Sequence, residues 1–297
     1  MISIVITAFK EPKTIGKAIE SFINQEIKEE YELIISAPDE ATQNVVKKYV
    51  KRNKKIKLFR DPGKGKSYAL NLLLPKVKGE ITILSDGDVY VSNNSVNEIL
   101  KEFTNSKIGC VTGRPVPIEN RETRYGYWAN FLFDSAHRLR KRLKEKGEFL
   151  ECSGYLWALR KKVIENFPLD VAEDAIIPYF FWERGYKIGY AENAFVYVKN
   201  VDNWREWINQ KVRTSRAHET LDKYVDIKKT PRTKTFLNEV KGIFFLFSYA
   251  RTIKELFWSL ELFFSRIYMW IIVFLDVYVK KKYHKDKWER IESTKYF

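Results

Sequence analysis

Three groups of residues in this chain have types and spacings that could do chemistry. The first is Asp86-Gly87-Asp88, which follows directly on Ile81-Thr82-Ile83-Leu84-Ser85. The apolar, partly β-branched run reads as a buried strand. Two carboxylates one residue apart at the carboxyl end of a strand offer the hard oxygens that Mg2+ shares with substrate phosphates. Gly87 allows close approach of backbone and ligand, although Asp-Gly is also ordinary turn chemistry. The second group is Pro62-Gly63-Lys64-Gly65-Lys66-Ser67. It is not a P-loop, which would need glycine where this chain has Arg60. It could still lay N–H groups and a helix N-terminus against a phosphate or sugar; the plainer alternative is a solvated lysine turn. The third is Glu173-Asp174, adjacent acids that on their own read as decoration of a helix N-terminus.

The elements that must position these groups follow from the hydrophobic pattern. Residues 2–7 form a short apolar strand, and Pro12 in the loop after it suits a helix start. Ile15, Ala18, Ile19, Phe22 and Ile23 recur at helical spacing. A second strand, 31–36, ends in Ala37-Pro38-Asp39, and a helix through Val45, Val46 and Tyr49 follows. A third strand at 56–59, a helix over 67–74 and the strand ending at Asp86 complete the alternation. Such β-α alternation predicts an α/β fold with a mainly parallel, doubly wound sheet. The first loop, Asp39 and Asp86 would then face one sheet edge, where a nucleotide could lie. Further on, 108–112 reads as a strand and 125–144 as a long helix, aromatic and core-forming first, basic later. A helix over 203–224 carries His218, a lone histidine on a polar helix and so expected to be exposed.

The chain has 297 residues and a net charge of +15, a field that attracts nucleic acid, anionic membrane or nucleotide phosphates. Apolar content suffices for a core and excludes a disordered chain. Cys110 and Cys152 lack metal-ligand spacing and are expected to be reduced core thiols, and no secretory signal is read at the start. After about residue 231 the composition turns apolar and aromatic. Charges at Glu261, Arg266 and Asp276 interrupt the 256–279 stretch, and a basic cluster with aromatic anchors, Lys280 to Trp288, follows. This divides the chain into a catalytic part, 1–232, and C-terminal helices, 233–297, expected to lie in the membrane surface. Packing on the catalytic part or a second subunit, and one tilted spanning helix from about Leu256, are the alternatives.

The order of motifs over the first ninety residues resembles the family 2 glycosyltransferases of GT-A fold. Thr7-Ala8-Phe9-Lys10-Glu11 looks like the end of their first strand, and Gly65-Lys66-Ser67-Tyr68-Ala69-Leu70-Asn71 resembles their G-K-x-x-A-L-N segment. Asp86-Gly87-Asp88 matches their D-x-D, and Glu173-Asp174 with Gly185 to Ala194 matches their E-D … G-Y-x-x-x-Y block. The resemblance implies a nucleotide-sugar donor, most often a UDP-sugar. Thr7, Ala8, Phe9 and Glu11 would hold the nucleoside and Asp39 the base, here within Ala37-Pro38-Asp39-Glu40 rather than the family's Asp-Gly-Ser. Gly63, Lys64 and Lys66 would lie on the donor. Asp88 with Asp86 would bind Mg2+ or Mn2+ on the diphosphate, with Gly87 between them. Arg114 would reach the phosphates, and the Gly154 turn would pass the donor sugar. Gln210 and Arg213 sit in Gln210-Lys211-Val212-Arg213-Thr214, which resembles Q-x-x-R-W with threonine for tryptophan. The family sometimes adds a histidine to the metal ligands, which gives His218 a second reading.

The expected activity is that of an inverting, metal-dependent glycosyltransferase (a hexosyltransferase). Asp174 would act as base towards an acceptor hydroxyl, with Glu173 orienting it. The expected acceptor is a lipid-linked sugar, as in lipid-linked oligosaccharide assembly, at the cytoplasmic face of the cell membrane. A polyprenyl-phosphate acceptor is the alternative. A basic membrane- or nucleic-acid-binding module is the non-enzymatic alternative, but no nucleic-acid signature supports it and no nucleic-acid partner is expected.

Overall fold

The computed structural model describes residues 1–282 apart from 231, 234 and 242, together with 293 and 294. The apolar runs at the start of the chain become strands buried on both faces: β1 (Ile2–Thr7) and β2 (Tyr31–Ser36). Between and after them come α1 (Ile15–Ile23), α2 (Glu40–Arg52), β3 (Ile56–Phe59), α3 (Lys66–Leu73) and β4 (Ile81–Asp86). β1 lies between β2 and β4, parallel to both, and β2 pairs in parallel with β3. In this register Thr7 stands beside Ser36 on one side and Asp86 on the other, so three strands end at one level. That common edge is where the candidate residues collect.

The second half of the sheet is mixed. β5 (Val89–Val91), α4 (Ser95–Glu102), β6 (Ile108–Pro117), α5 (Arg124–Lys146), β7 (Leu156–Arg160), α6 (Glu173–Glu183) and β8 (Lys187–Val198) follow. β7 inserts antiparallel between β4 and β6, while β6 and β8 run parallel and β5 closes the edge antiparallel to β8. The strand order is β3-β2-β1-β4-β7-β6-β8-β5. Alternate side chains feed opposite cores. Ile4 and Ile6 join Phe22 of α1, Val46 of α2 and Ile99 of α4; Val5 joins Leu70 of α3, Trp157 of β7 and Phe181 of α6. Cys110 and Cys152 are buried free thiols, Sγ to Sγ 3.4 Å, in agreement with the sequence expectation.

The chain ends in α7 (Trp204–His218), α8 (Phe236–Lys241), α9 (Ile243–Tyr249) and α10 (Ile253–Phe274), the last prolonged as a π-helical turn to Val279. The aromatic half of α5 is core, as expected: Tyr127, Trp128 and Phe131 pack with Trp207 of α7 and Leu262, Met269 and Val273 of α10. Contacts run the whole length of α10. Arg121 bonds Glu255, Tyr127 Oη lies 2.6 Å from Ser259 Oγ, and Trp128 Nε1 donates to Trp258 O at 2.8 Å. Further along, Ser215 Oγ contacts Met269 Sδ at 3.1 Å and Arg216 meets Asp276 at 3.3 Å. Charges that seemed to break the apolar run are thus paired: Asp276 with Arg216 of α7, Glu261 with Arg124 of α5, and Arg266 with Glu239 of α8.

The other face of α10 is apolar and exposed. Phe257, Phe264, Ile271 and Tyr278 recur every seven residues, with Ile253 before them and Leu260, Tyr268 and Leu275 between them. Residues 253–279 are long and apolar enough to cross a bilayer by length and composition, with 33% of the most apolar stretch buried. Lys280, Lys281 and Lys282 are exposed at its end; positions 283–288 of the basic cluster, and Gly242, lie outside the described residues.

Candidate active site

The first loop is pinned from three sides. Gly87 N donates to Thr7 O at 2.9 Å, Thr7 Oγ1 donates to Asp86 Oδ1 at 3.2 Å, and Ala8 N donates to Ser36 O at 2.9 Å. A β-carbon on Gly87 would stand 2.1 Å from Glu11 Oε2 and 2.6 Å from Ala8 Cβ, so the D-x-D turn requires glycine for space. Glu11 is buried, and its N–H donates to Thr42 Oγ1. Lys10, next to half-buried Phe9, takes a left-handed conformation (φ 55°), and its N–H donates to Asp39 Oδ2 at 2.7 Å. Asp39 Oδ1 accepts from Thr42 N at 3.0 Å and Thr42 Oγ1 at 2.8 Å. Asp39 is therefore the N-cap of α2 and the anchor of the first loop at once.

The glycine-lysine loop is organised by Asp61, which sequence reasoning missed. This buried carboxylate accepts from Ser36 Oγ and Gly63 N, both at 2.9 Å, and burial raises its pKa. Gly63 and Gly65 adopt φ of 71° and 123°, which favour glycine. Lys64 is exposed, its ammonium 5.3 Å from the Tyr68 ring centre, as a solvated lysine turn predicts. Lys66 departs from that reading. As the first residue of α3 it turns inward, its Nζ 2.7 Å from Asp86 Oδ1 and 2.8 Å from Glu173 Oε1. Burial opposes its charge, but Asp86 and Glu173 together hold its pKa well above the ordinary lysine value. Asp86 is shifted up, first by burial and further by Asp88 and Glu173, against the pull of Lys66.

Glu173 and Asp174 open α6, as the helix-terminus reading expects. Gly154 N donates to Asp174 Oδ2 at 2.7 Å, which ties the turn before β7 to the second acid. The next residue, Tyr155, is a site residue that sequence reasoning passed over. Burial raises its hydroxyl pKa, the facing charges of Asp88 and Asp86 raise it further, and Arg213 opposes them. Its carbonyl accepts from Ser85 Oγ at 2.8 Å, which ties this turn to the end of β4. Phe133 of α5 stacks on it, ring centres 6.3 Å apart. Asn71, the last residue of the G-K-x-x-A-L-N segment, has a structural task. Its Nδ2 donates to Phe167 O at 2.8 Å and its Oδ1 accepts from Phe167 N at 2.6 Å, fixing the segment that leads into α6.

Not every expected residue joins this group. Arg114 lies 4.0 Å from Asp134 with its guanidinium 5.5 Å from the Phe195 ring centre, in a polar cluster on the α5 side. Gln210 is half-buried on α7, one turn before Arg213. His218 is buried rather than exposed, its Nδ1 3.5 Å from buried Glu151 Oε2, which corrects the sequence expectation. The partner that buries it comes from a distant loop and could not be seen in the helix pattern.

The model of glycosyl transferase family 2 matches residues 3–167, more than half of the chain. The chain belongs to glycosyl transferase family 2. Its fold is GT-A, as the motif order implied. The structure is similar to the mannosyltransferase PcManGT from Pyrobaculum calidifontis in complex with GDP-Man and Mn2+. That likeness has a TM-score of 0.67 at 14% identity, covering 95% of this chain and 87% of that one. It is also similar to residues 1–349 of S. aureus TarS in complex with UDP-GlcNAc, with a TM-score of 0.57 at 16% identity over 93% and 80% of the two chains. At these identities the likeness shows the fold alone. Among curated proteins, beta-monoglucosyldiacylglycerol synthases of Trichormus variabilis and a Nostoc species are each 29% identical over 119 residues. That match spans 38% of this chain and only 25% of each relative.

In this family 2 enzyme the D-x-D residues fit a hard divalent cation. Among the described residues no cluster of three or more His, Cys, Asp or Glu side chains forms a closed metal cage. Two carboxylates on one strand end, with substrate phosphates completing the shell, are the donor set that Mg2+ or Mn2+ uses. Asp88 and Glu173 add negative charge beside Asp86, against the one ammonium of Lys66, an excess that a divalent cation would offset.

Proposed function

We propose that this enzyme transfers a sugar from a nucleoside-diphosphate sugar to a hydroxyl of a lipid-linked acceptor at a membrane surface, with inversion. The observation that carries the reading is the Lys66 bridge: one ammonium touches both the D-x-D strand end and the first residue of the E-D helix. Donor-side and acceptor-side carboxylates are thus within one side chain of each other. Thr7 to Glu11, Asp39 and the Gly63–Lys66 loop would line the nucleoside and phosphates, and Asp86 and Asp88 would hold the cation. When bound, that cation would supply positive charge for the departing diphosphate.

The chain's own residues account for the rest. Asp174, steadied by the Gly154 N–H, would take the proton of the acceptor hydroxyl. The acceptor oxygen forms its bond to the anomeric carbon as the bond from that carbon to the diphosphate oxygen breaks. The nucleoside diphosphate leaves with the electron pair, and a single displacement inverts the centre. Glu173, held by Lys66, would orient rather than accept. The Tyr155–Phe133 stack and Arg213 would flank the acceptor. A base beside the site favours a hydroxyl over a polyprenyl phosphate, which is already ionised. The curated relatives, named for a glucosyl diacylglycerol, fit a lipid acceptor.

Contact of α10 and its π-helical extension with α5 and α7, from Trp258 to Asp276, favours a helix lying on the membrane over a spanning one. A helix packed on the catalytic body along its whole length has no segment left to cross. The test is thermal stabilisation by UDP, GDP, CDP and ADP, each with Mn2+ or EDTA. A shift with one nucleotide that requires Mn2+ and is lost in Asp88→Asn supports the donor site. No shift with any of them refutes it.

A further inference from the structure

We propose that Lys66 is an internal cation that occupies Asp86 until the donor diphosphate arrives, so that the divalent metal binds with the nucleotide and not before it. The inference rests on the donor-site reading above. Its ground is one oxygen, Asp86 Oδ1, which accepts from Thr7 Oγ1 at 3.2 Å and stands 2.7 Å from the Lys66 ammonium. The same ammonium reaches Glu173 Oε1 at 2.8 Å. A metal at the D-x-D pair would draw on the carboxylate that this ammonium already holds, and two cations on one carboxylate in a poorly solvated pocket repel strongly.

A diphosphate reverses the balance. It brings negative charge to the edge between β4 and the Gly63–Lys66 loop and offers the ammonium another acceptor. It also completes the metal's oxygen shell. The local geometry permits the exchange. Lys66 carries its charge on a flexible four-carbon stem at the start of α3, and 17% of its side chain reaches solvent, so the head can move without the backbone. Because its other contact is Glu173, the neighbour of Asp174, the state of the donor site is felt at the helix that carries the base. Lys66 is in this sense a positioning residue that orders the binding steps.

The experiment titrates Mn2+ into wild type, Lys66→Met and Lys66→Arg, reading free Mn2+ by electron paramagnetic resonance. It is done first without nucleotide and then with saturating UDP or GDP. Lys66→Met is expected to bind Mn2+ alone about tenfold or more tightly than wild type, whereas Lys66→Arg, which keeps the charge, stays within about threefold. With nucleotide the advantage of Lys66→Met is expected to vanish, because the diphosphate has lost its ammonium partner. Equal Mn2+ affinity of wild type and Lys66→Met without nucleotide overturns the proposal, even where nucleotide-dependent Mn2+ binding by wild type upholds the donor site. Wild type that binds Mn2+ under neither condition overturns both. Cooperative melting confirms that a variant is folded, and Lys66→Gln replaces Lys66→Met if the latter does not melt cooperatively.

Discussion

Replacing Phe257 and Phe264 together by glutamine should release the protein from membranes without unfolding it. The two rings lie on the outward face of α10, 64% and 63% exposed. A phenylalanine offers about 200 Å2, so each ring leaves about 130 Å2 in solvent. At about 25 cal/mol per Å2, complete transfer of each to hydrocarbon is worth about 3 kcal/mol. A helix at the acyl boundary sinks only part of that surface, so about half of the total, about 3 kcal/mol for the pair, is the expected loss. That is a fall in partition coefficient of roughly 100-fold to 200-fold. Co-sedimentation with liposomes of neutral and of anionic lipid measures it directly. Glutamine is a good helix former and neither ring is in the core, so the melting temperature should stay within a few degrees. An unchanged partition coefficient would refute the interfacial reading of α10. A dimer that dissociates in the variant would assign the face to a second copy instead.

Other outcomes follow from the site and its supports. Asp174→Asn should keep donor binding, since an amide oxygen still accepts from Gly154 N, and lose about 100-fold to 10,000-fold in transfer; near-normal kcat would place the base elsewhere. Gly87→Ala forces a methyl to within 2.1 Å of Glu11 Oε2 and 2.6 Å of Ala8 Cβ, so the first loop and the D-x-D turn must separate. Nucleotide affinity measured by calorimetry should fall at least tenfold, in line with the sensitivity of such sites to shifts of about 1 Å. Glu32 tests the electrostatics of the sheet. Burial pushes its carboxyl up, but Lys57 Nζ, Lys78 N and Ser3 Oγ outweigh this and hold its pKa below the usual range. A depressed folded pKa gives stability that is present above the unfolded value of about 4.3 and is lost as pH falls through the folded one. Glu32→Gln should therefore cost about 1–3 kcal/mol in urea unfolding at pH 7, and the gap should narrow below about pH 4. A gap independent of pH would refute this account.

The parallel half of the sheet was legible because each strand is a short apolar run and each helix repeats its apolar residues at the right period. β5 was not, since Val89-Tyr90-Val91 is too short to show alternation. β8 was seen only as a motif, because its pattern serves two faces of a bulged strand. Of the site, the carboxylates were visible and their connections were not. Lys66 reads as a donor-loop lysine, with a solvated turn as the alternative, and its bridge was hidden because Asp86 and Glu173 lie on other elements. Tyr155 and Asp61 lacked any local signal, one being an ordinary aromatic near a strand and the other a turn acid. His218 failed for the same reason: nothing within α7 announces Glu151 as its neighbour.

The insertion of β7 between β4 and β6 has a consequence for how the chain reaches this state. While it emerges from the ribosome, β3, β2, β1 and β4 can assemble early, since their crossovers are short. β4 then presents an open edge, with Asp86 at its tip, until residues 156–160 arrive to pair with it. Unpaired edges invite association with other chains, and late non-local pairing is slow. The unpaired edge of β4 is thus a point at which the chain is open to misassembly, and the acidic tip of β4 is an edge charge that works against it.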